Sequence, residues 1–508
     1  MFYKHHLKHL GVKYSFPKLL SEKDFSEWVR ETKAPDDDVL EALRAVDLGK
    51  RYGAMNALME ERTKNINALF LEELPEFFEN ESGGKEDAKY FSDFLQAHFS
   101  REKHVRVLIV QMVGEMLLGA QGTPDGLKDD LKVRKIINAE QAEIWRTTLD
   151  YLSLAVEVVD AASYVADDAF DKTLSRFGVD TPYKVHGDFA GPIGADILLH
   201  SLGNYIFYKT IREHERGVEA GYLTESGSVS TNDNPYSLKW KDDTTGVYVY
   251  INPEQYMDVW EVWSWAWYLI NSGQIRDLYE FGLEDIGSFD VDSYMSRAYR
   301  LSGGLIECAT HLSAAFMGCG YWEGRQHIGK WAAIYGTMTQ IRNDFYDYVL
   351  YSVEGPKKHD FVKETHEDVS LGRVTLPLGF AYAQADDADR KAMLELASSM
   401  KEKKSQGMEI PEQDRLKLNG LIAKNGGFLA SKKIIYNMVT WAVDELMPLR
   451  KDFQDSGRYW DLVAWTVASL NILNIDPERT DPGAGSVGNM FDLKAIADFL
   501  KQASVSNK

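Results

Sequence analysis

Between Val158 and Gly178 the chain reads VVDAASYVADDAFDKTLSRFG, an apolar, helix-compatible run that ends in Asp167, Asp168 and Asp171 and is followed by a lone Arg176. Positions four apart on a helix project from one face, so Asp167 and Asp171 point the same way, while Asp168 lies about 100° round the axis. Three carboxylates crowded at the end of an apolar helix repel one another and need bulk water or cations. Hard oxygen ligands at this spacing suit magnesium, which keeps several waters and binds one or two carboxylates together with substrate phosphates. The plainer reading is a solvated acidic face. The chain has 78 acidic residues, and Asp-Asp pairs recur at 129–130, 242–243 and 386–387, but none of these completes a D-D-x-x-D spacing.

The stretch Tyr335 to Tyr348, YGTMTQIRNDFYDY, repeats the pattern with Asn343, Asp344 and Asp347, and Gln340 lies one turn before Asp344. A solvated helix end is again the plain alternative. Two such faces opposed across a helical bundle would hold magnesium ions around a diphosphate, a more specific constellation than either cluster alone. Upstream, Lys103 and Arg106 precede an apolar stripe through Val107, Val110, Val113 and Leu117. Three apart, the two cations share a helix face. They form either a solvated helix start or a phosphate clamp, since Arg offers a fork and Lys a point charge.

Composition narrows the partners. A net charge of −21 argues against nucleic acid and against anionic membranes. It leaves a diphosphate substrate open, because magnesium inverts the local sign of a site. The two cysteines, Cys308 and Cys319, cannot build a disulfide framework and fit a reducing compartment. The N-terminal MFYKHHLKHLG lacks an apolar core, so a signal peptide is not expected. No run approaches the ~18 apolar residues of a spanning helix; in the nearest, 107–120, Gln111 and Glu115 interrupt. A cytoplasmic protein without a transmembrane segment is expected. With 12 Trp, 26 Tyr and 23 Phe, the aromatics exceed what a surface accepts and suit a core with an apolar ligand cavity.

Residues 1–98 read as a helical N-terminal extension packed on a main body at 99–508, with Asp36 to Asp38 able to cap a periodic run from Val39. Helices are expected over 98–120, 144–166 and 183–208. Residues 216–250 are rich in Gly, Ser, Thr, Asn and Asp and read as an insertion, surface decoration or a lid, in which Val247 to Tyr250 alternates like a strand or hairpin. Helices resume near Pro253. After Gly372 they run to the end, closing with Leu493 to Lys501.

In this order the motifs resemble those of the trans-polyprenyl diphosphate synthase family. DDAFD at 167–171 and QIRNDFYD at 340–347 resemble its two aspartate-rich motifs. EKHVR at 102–106, GQIRD at 273–277 and GRVTLPL at 372–378 resemble its G-K-R-x-R, G-Q-x-x-D and G-K-x-T-L-P-L segments. The resemblance implies an all-α, class I isoprenoid synthase bundle around a central apolar cavity, and a homodimer. It implies that Asp167, Asp168, Asp171, Asn343, Asp344 and Asp347 hold a cluster of about three magnesium ions, with Asp167, Asp168, Asp171 and Asp344 central to catalysis. It assigns the diphosphate to Lys103, Arg106, Arg176, Gln340, Arg300, Lys363 and Arg373. The implied reaction ionises an allylic prenyl diphosphate; isopentenyl diphosphate, or in related cyclases the substrate's own double bonds, then captures the carbocation.

Departures from the pattern fall on the acceptor side. Arg176 is kept, but Phe177 replaces the second Arg, which the family links to isopentenyl diphosphate. Asp160 stands where a Gln or His helps to bind that substrate, and Leu301 stands for the Lys of a Lys-Thr pair, with Arg300 beside it as a substitute. A carboxylate at 160 would repel a diphosphate. Asn343 replaces an Asp, and its amide oxygen can still ligate. By resemblance, the residues four and five before the first Asp floor the chain pocket, about 6–7.5 Å down the helix; here they are Ala162 and Ser163, small residues that leave the pocket deep, with room for roughly C20 or longer unless Tyr164 points in. Prenyl transfer to isopentenyl diphosphate or another acceptor, terpene cyclisation, and a non-catalytic synthase subunit all share this fold; the retained aspartates and Gln340 argue against the last.

Overall fold

The computed structural model describes residues 48–80, 105–120, 139–176, 179–222, 238–241, 248–251, 253–279, 282–317, 324–350, 365–453 and 456–479. They form an all-α bundle with two short β ladders. The helices are α1 (Leu48–Asn80), α2 (Val105–Ala120), α3 (Ala139–Phe170), α4 (Pro182–Tyr222), α5 (Pro253–Tyr279), α6 (Val291–Ala298), α7 (Gly304–Phe316), α8 (Gly324–Tyr346), α9 (Glu367–Ser370), α10 (Leu376–Gln384), α11 (Asp387–Ser405), α12 (Glu412–Lys424), α13 (Gly427–Leu446), α14 (Arg450–Phe453) and α15 (Gly457–Ala468). No described helix is long and apolar enough to cross a membrane.

The helices expected at 98–120, 144–166 and 183–208 are present as α2, α3 and α4, and α4 runs on to Tyr222, past the start expected for the insertion. Within 216–250 the alternating segment is strand β4 (Tyr248–Ile251), which pairs antiparallel with β3 (Leu238–Lys241). A second ladder, β1 (Ser175–Arg176) with β2 (Val179–Asp180), turns the chain from α3 into α4, and the two helices then pack along each other. The cap expected at Asp36 to Asp38 and the closing helix at 493–501 lie outside the described residues.

The first described helix docks by an apolar stripe of buried residues, Met55, Met59, Ile66 and Phe70, at helical spacing. It lies against α2, α3 and α15. Ion pairs fix its register: Arg51 reaches Asp461 at 3.1 Å, and Arg62 and Arg458 share Glu115 at 2.5 and 2.6 Å.

The centre of the bundle is α8, packed between α7 and α13. Trp331 on α8 donates to Thr466 Oγ1 on α15 at 2.8 Å, which satisfies a polar atom in the core. A π turn, Tyr299–Gly303, joins α6 to α7 and lies directly on α8. Glycines permit that approach: a Cβ at Gly336 would stand 2.7 Å from the Gly303 Cα, and one at Gly303 would stand 2.8 Å from the Ala333 carbonyl oxygen. These are backbone atoms of neighbouring helices and cannot rotate away. Gly336→Ala is therefore expected to destabilise the protein by about 1–3 kcal/mol through overpacking, read as a lower denaturation midpoint.

Candidate active site

Helix α3 presents one polar stripe, Glu157, Asp160, Tyr164, Asp167 and Asp171, at spacings of three and four residues. The stripe ends at the helix C-terminus, where unpaired carbonyls carry partial negative charge, and the last turn of α3 contains no basic residue. Asp171 sits just past that end in a turn closed by its own N–H on the Asp167 carbonyl (2.9 Å) and by the Thr173 N–H on the Asp168 carbonyl (2.9 Å), with Lys172 left-handed at φ 55. Carboxylates at a helix C-terminus are electrostatically misplaced unless a cation meets them.

Arg373 meets them. Its Nη2 hydrogen-bonds Asp171 Oδ1 and stands 4.0 Å from Asp167 Oδ1, its Nε reaches Asp277 Oδ2 at 3.2 Å, and its Nη1 lies 3.9 Å from Asp368. One guanidinium thus serves four carboxylates. Burial and the neighbouring Asp167 push the Asp171 carboxyl up to about 8, against the opposing pull of Arg373. Burial alone would lower the Arg373 pKa, but Asp277 and Asp171 outweigh it and leave it raised.

The charges continue to the second motif. Arg297 on α6 donates from Nη1 to Asp277 Oδ1 at 2.5 Å and from Nη2 to Asp344 Oδ2 at 3.1 Å. Tyr294 donates to the same Asp344 oxygen at 2.6 Å, and Gln340 Nε2 donates to Asp344 Oδ1 at 3.0 Å. Burial, reinforced by Asp344, pushes the Tyr294 phenol up, so it stays a donor. The two aspartate motifs are therefore ends of one relay, Asp171–Arg373–Asp277–Arg297–Asp344. Both lie at helix C-termini, and neither helix has a basic residue in its last turn.

The other assigned residues stand in varied surroundings. The Asp347 carboxylate accepts the backbone N–H groups of Glu367 (2.9 Å) and Asp368 (3.2 Å), which fixes the turn that carries Arg373. Asn343 is exposed, and Asp168 is buried on a different face of α3 from Asp167. Arg300 donates to Ser272 Oγ at 2.9 Å and lies over Tyr268, facing α5 instead of the acidic relay. The π turn inserts a residue there, and Gly273 lets Leu301 close on α5, since a Cβ on that glycine would be 2.9 Å from the Leu301 nitrogen. Arg297, one turn earlier, is the arginine brought to the site.

On the acceptor side, Asp160 does not stand as a free repelling charge. It forms an ion pair with Arg106 of α2, and both side chains are largely buried. Tyr164 hydrogen-bonds the same guanidinium. The arginine expected to clamp a phosphate is thereby neutralised by its own protein. Ala162 is buried, and Ser163 donates to the Asp160 carbonyl of its own helix at 2.7 Å. Arg176 lies in β1. Lys103, Phe177 and Lys363 lie outside the described residues.

Tyr294, Arg297 and Asp368 carried no motif in the sequence, and Asp277 carried only the last position of GQIRD. Among the described residues no three His, Cys, Asp or Glu side chains converge as a ready-made metal nest. The donors nevertheless suit a hard divalent cation: Asp167 and Asp171 share one face, already gather around a stand-in cation, and include a carboxyl raised by burial and by the neighbouring Asp167.

The polyprenyl synthetase family profile matches residues 89–413. No curated protein matches the chain. Among solved structures, a geranylgeranyl pyrophosphate synthetase from Pyrococcus horikoshii Ot3 is 19% identical over 82% of this chain and 98% of that chain, with a TM-score of 0.52. A geranylgeranyl pyrophosphate synthase from Lactobacillus brevis ATCC 367 is 14% identical over 81% and 97%, with a TM-score of 0.51. At these identities the likeness shows the fold. The family match spans more than half of the chain and includes both aspartate motifs and the Gly372–Leu378 segment: the protein belongs to the polyprenyl synthetase family, the prenyltransferases of isoprenoid biosynthesis.

Proposed function

We propose that the protein ionises an allylic prenyl diphosphate with magnesium and transfers the prenyl cation to an acceptor that carries no diphosphate. The observation behind the first half is the convergence of two acid-bearing helix C-termini on one charge relay. A diphosphate cannot approach such a site without added cations. Magnesium, when bound, neutralises the diphosphate and makes it a leaving group. Asp167 and Asp171, which share one face, would hold it, with Asp344 at the other end of the relay. Arg373 stands beside the first motif as a guanidinium within reach of the departing group, and Arg297 ties Asp277 to Asp344. Gln340 and Tyr294 orient Asp344 by donating to its two carboxylate oxygens. The aromatic-rich bundle interior supplies the dry surroundings a carbocation needs, and the small residues Ala162 and Ser163 favour a chain of roughly C20 or longer.

The second half rests on the Arg106–Asp160 pair. A clamp for isopentenyl diphosphate needs an arginine whose charge is not already balanced, and Phe177 removes a further cation. The same pair equally favours a cyclase, in which the substrate's own double bond is the acceptor. Incubation with magnesium and geranylgeranyl diphosphate, with and without isopentenyl diphosphate, separates these readings. A hydrocarbon or alcohol released without a second substrate identifies cyclisation. A longer diphosphate formed only with isopentenyl diphosphate refutes the non-diphosphate acceptor.

Asp160→Gln frees Arg106 and removes a carboxylate from the acceptor side. Its affinity for isopentenyl diphosphate, measured by calorimetry, is expected to rise by about 10- to 100-fold over the native protein, as for one charge-assisted pair gained. An unchanged affinity would show that the pair does not govern this site. The mode of association, a homodimer by family resemblance, and a cytoplasmic location remain part of this proposal.

A further inference from the structure

Arg373 is placed by its backbone and not by its side chain. It follows left-handed Gly372 (φ 85), its N–H donates to the Asp368 carbonyl at 2.9 Å, and it pairs with Gly282 across an isolated bridge. The side chain is long and leaves this fixed point in two directions. Nε is held by Asp277 at 3.2 Å, a residue of α5, whereas Nη2 alone reaches α3, hydrogen-bonded to Asp171 and 4.0 Å from Asp167. The contact with α3 can therefore be given up while the contact with α5 is kept.

A divalent ion and a guanidinium N–H compete for the same carboxylate oxygen. Magnesium demands oxygen at about 2.0–2.1 Å in octahedral geometry, and an N–H donor on that lone pair obstructs it. We propose that Arg373 is the resident counter-cation of the first acidic motif and is exchanged for the divalent ion. In the metal-free protein Nη2 balances Asp167 and Asp171. Metal binding at these carboxylates releases Nη2, which becomes available to the diphosphate while Nε stays on Asp277. The site thus keeps a cation on α3 at every stage, and the arginine is handed from the protein's acids to the substrate's. This rests on the reading of the motif as the metal–diphosphate site.

The test uses Mn2+ alone, with free ion followed by its paramagnetic resonance signal, on the full-length native protein, Arg373→Gln and Arg373→Lys. Both variants are expected to bind Mn2+ tighter than the native protein, on the order of tenfold for Arg373→Gln, because the competitor is gone or has lost the fork that spans Asp171 and Asp277. At saturating Mn2+ the order reverses for inorganic diphosphate: native protein retains it better in equilibrium dialysis than Arg373→Gln does, because only the native protein has a guanidinium to release. Arg373→Lys keeps the charge, and so decides the matter even if Arg373→Gln fails to fold. Variants that bind Mn2+ no tighter than native protein overturn the exchange. So does tighter binding in Arg373→Gln alone, which reports only the loss of a positive charge. Native protein that binds no Mn2+, with or without diphosphate, overturns the metal reading itself.

Discussion

Asp171→Asn is expected to lower turnover of an allylic prenyl diphosphate by about 100- to 1,000-fold, the scale of removing one charge-stabilising group from an active site. The substitution keeps the shape of the side chain and an oxygen for Arg373. It removes only the charge, at the negative end of α3, where four carboxylates already crowd one guanidinium. Burial and Asp167 already raise the Asp171 carboxyl to about 8, so the ionised group strains the metal-free fold. The variant should therefore melt no lower than the native protein in the absence of metal while losing activity in its presence. Initial rates with magnesium and thermal unfolding in chelator measure the two effects separately. Full activity, or a loss explained by unfolding, would remove Asp171 from the metal site.

Arg297→Met should cost about 3–5 kcal/mol of stability, the range for breaking a buried ion pair from one side. Arg297 is 3% exposed and bridges Asp277 and Asp344, which are themselves buried. Methionine replaces the stem but leaves two carboxylates without their shared cation, and Tyr294 loses the guanidinium 4.8 Å from its ring. Chemical denaturation reads the loss. Adding Asp277→Asn or Asp344→Asn to Arg297→Met should recover part of it, because contacting charges are not additive. A fully additive double variant would show that the relay is not a relay.

Much of this was legible in the sequence because it depends on local spacing. The pairing of Asp167 with Asp171 follows from positions four apart on one helix, and the apolar runs of α2, α3 and α4 follow from periodicity. The strand at Tyr248–Ile251 follows from alternation, although nothing local named Leu238–Lys241 as its partner. Other contacts depend on residues distant in sequence or on a local change of helix phase. Asp347 has the spacing of a ligand, and its carboxylate also accepts backbone N–H groups that follow in α9, a contact no local spacing announces. Arg300 is the arginine suggested by alignment of motifs, but a π turn at Tyr299–Gly303 changes the phase of the helix and delivers Arg297 instead. Asp160 looks like a repelling charge in sequence, where nothing ties it to Arg106 on another helix; only the packing of α2 on α3 makes them partners.

The most direct measurement is release of inorganic diphosphate from geranyl, farnesyl and geranylgeranyl diphosphates by the purified full-length protein, with magnesium and with chelator. Metal-assisted ionisation at the paired motifs predicts release from at least one of them that requires magnesium, falls to background in chelator, and is lost in Asp171→Asn. Release that continues in chelator, or that Asp171→Asn leaves unchanged, would contradict it.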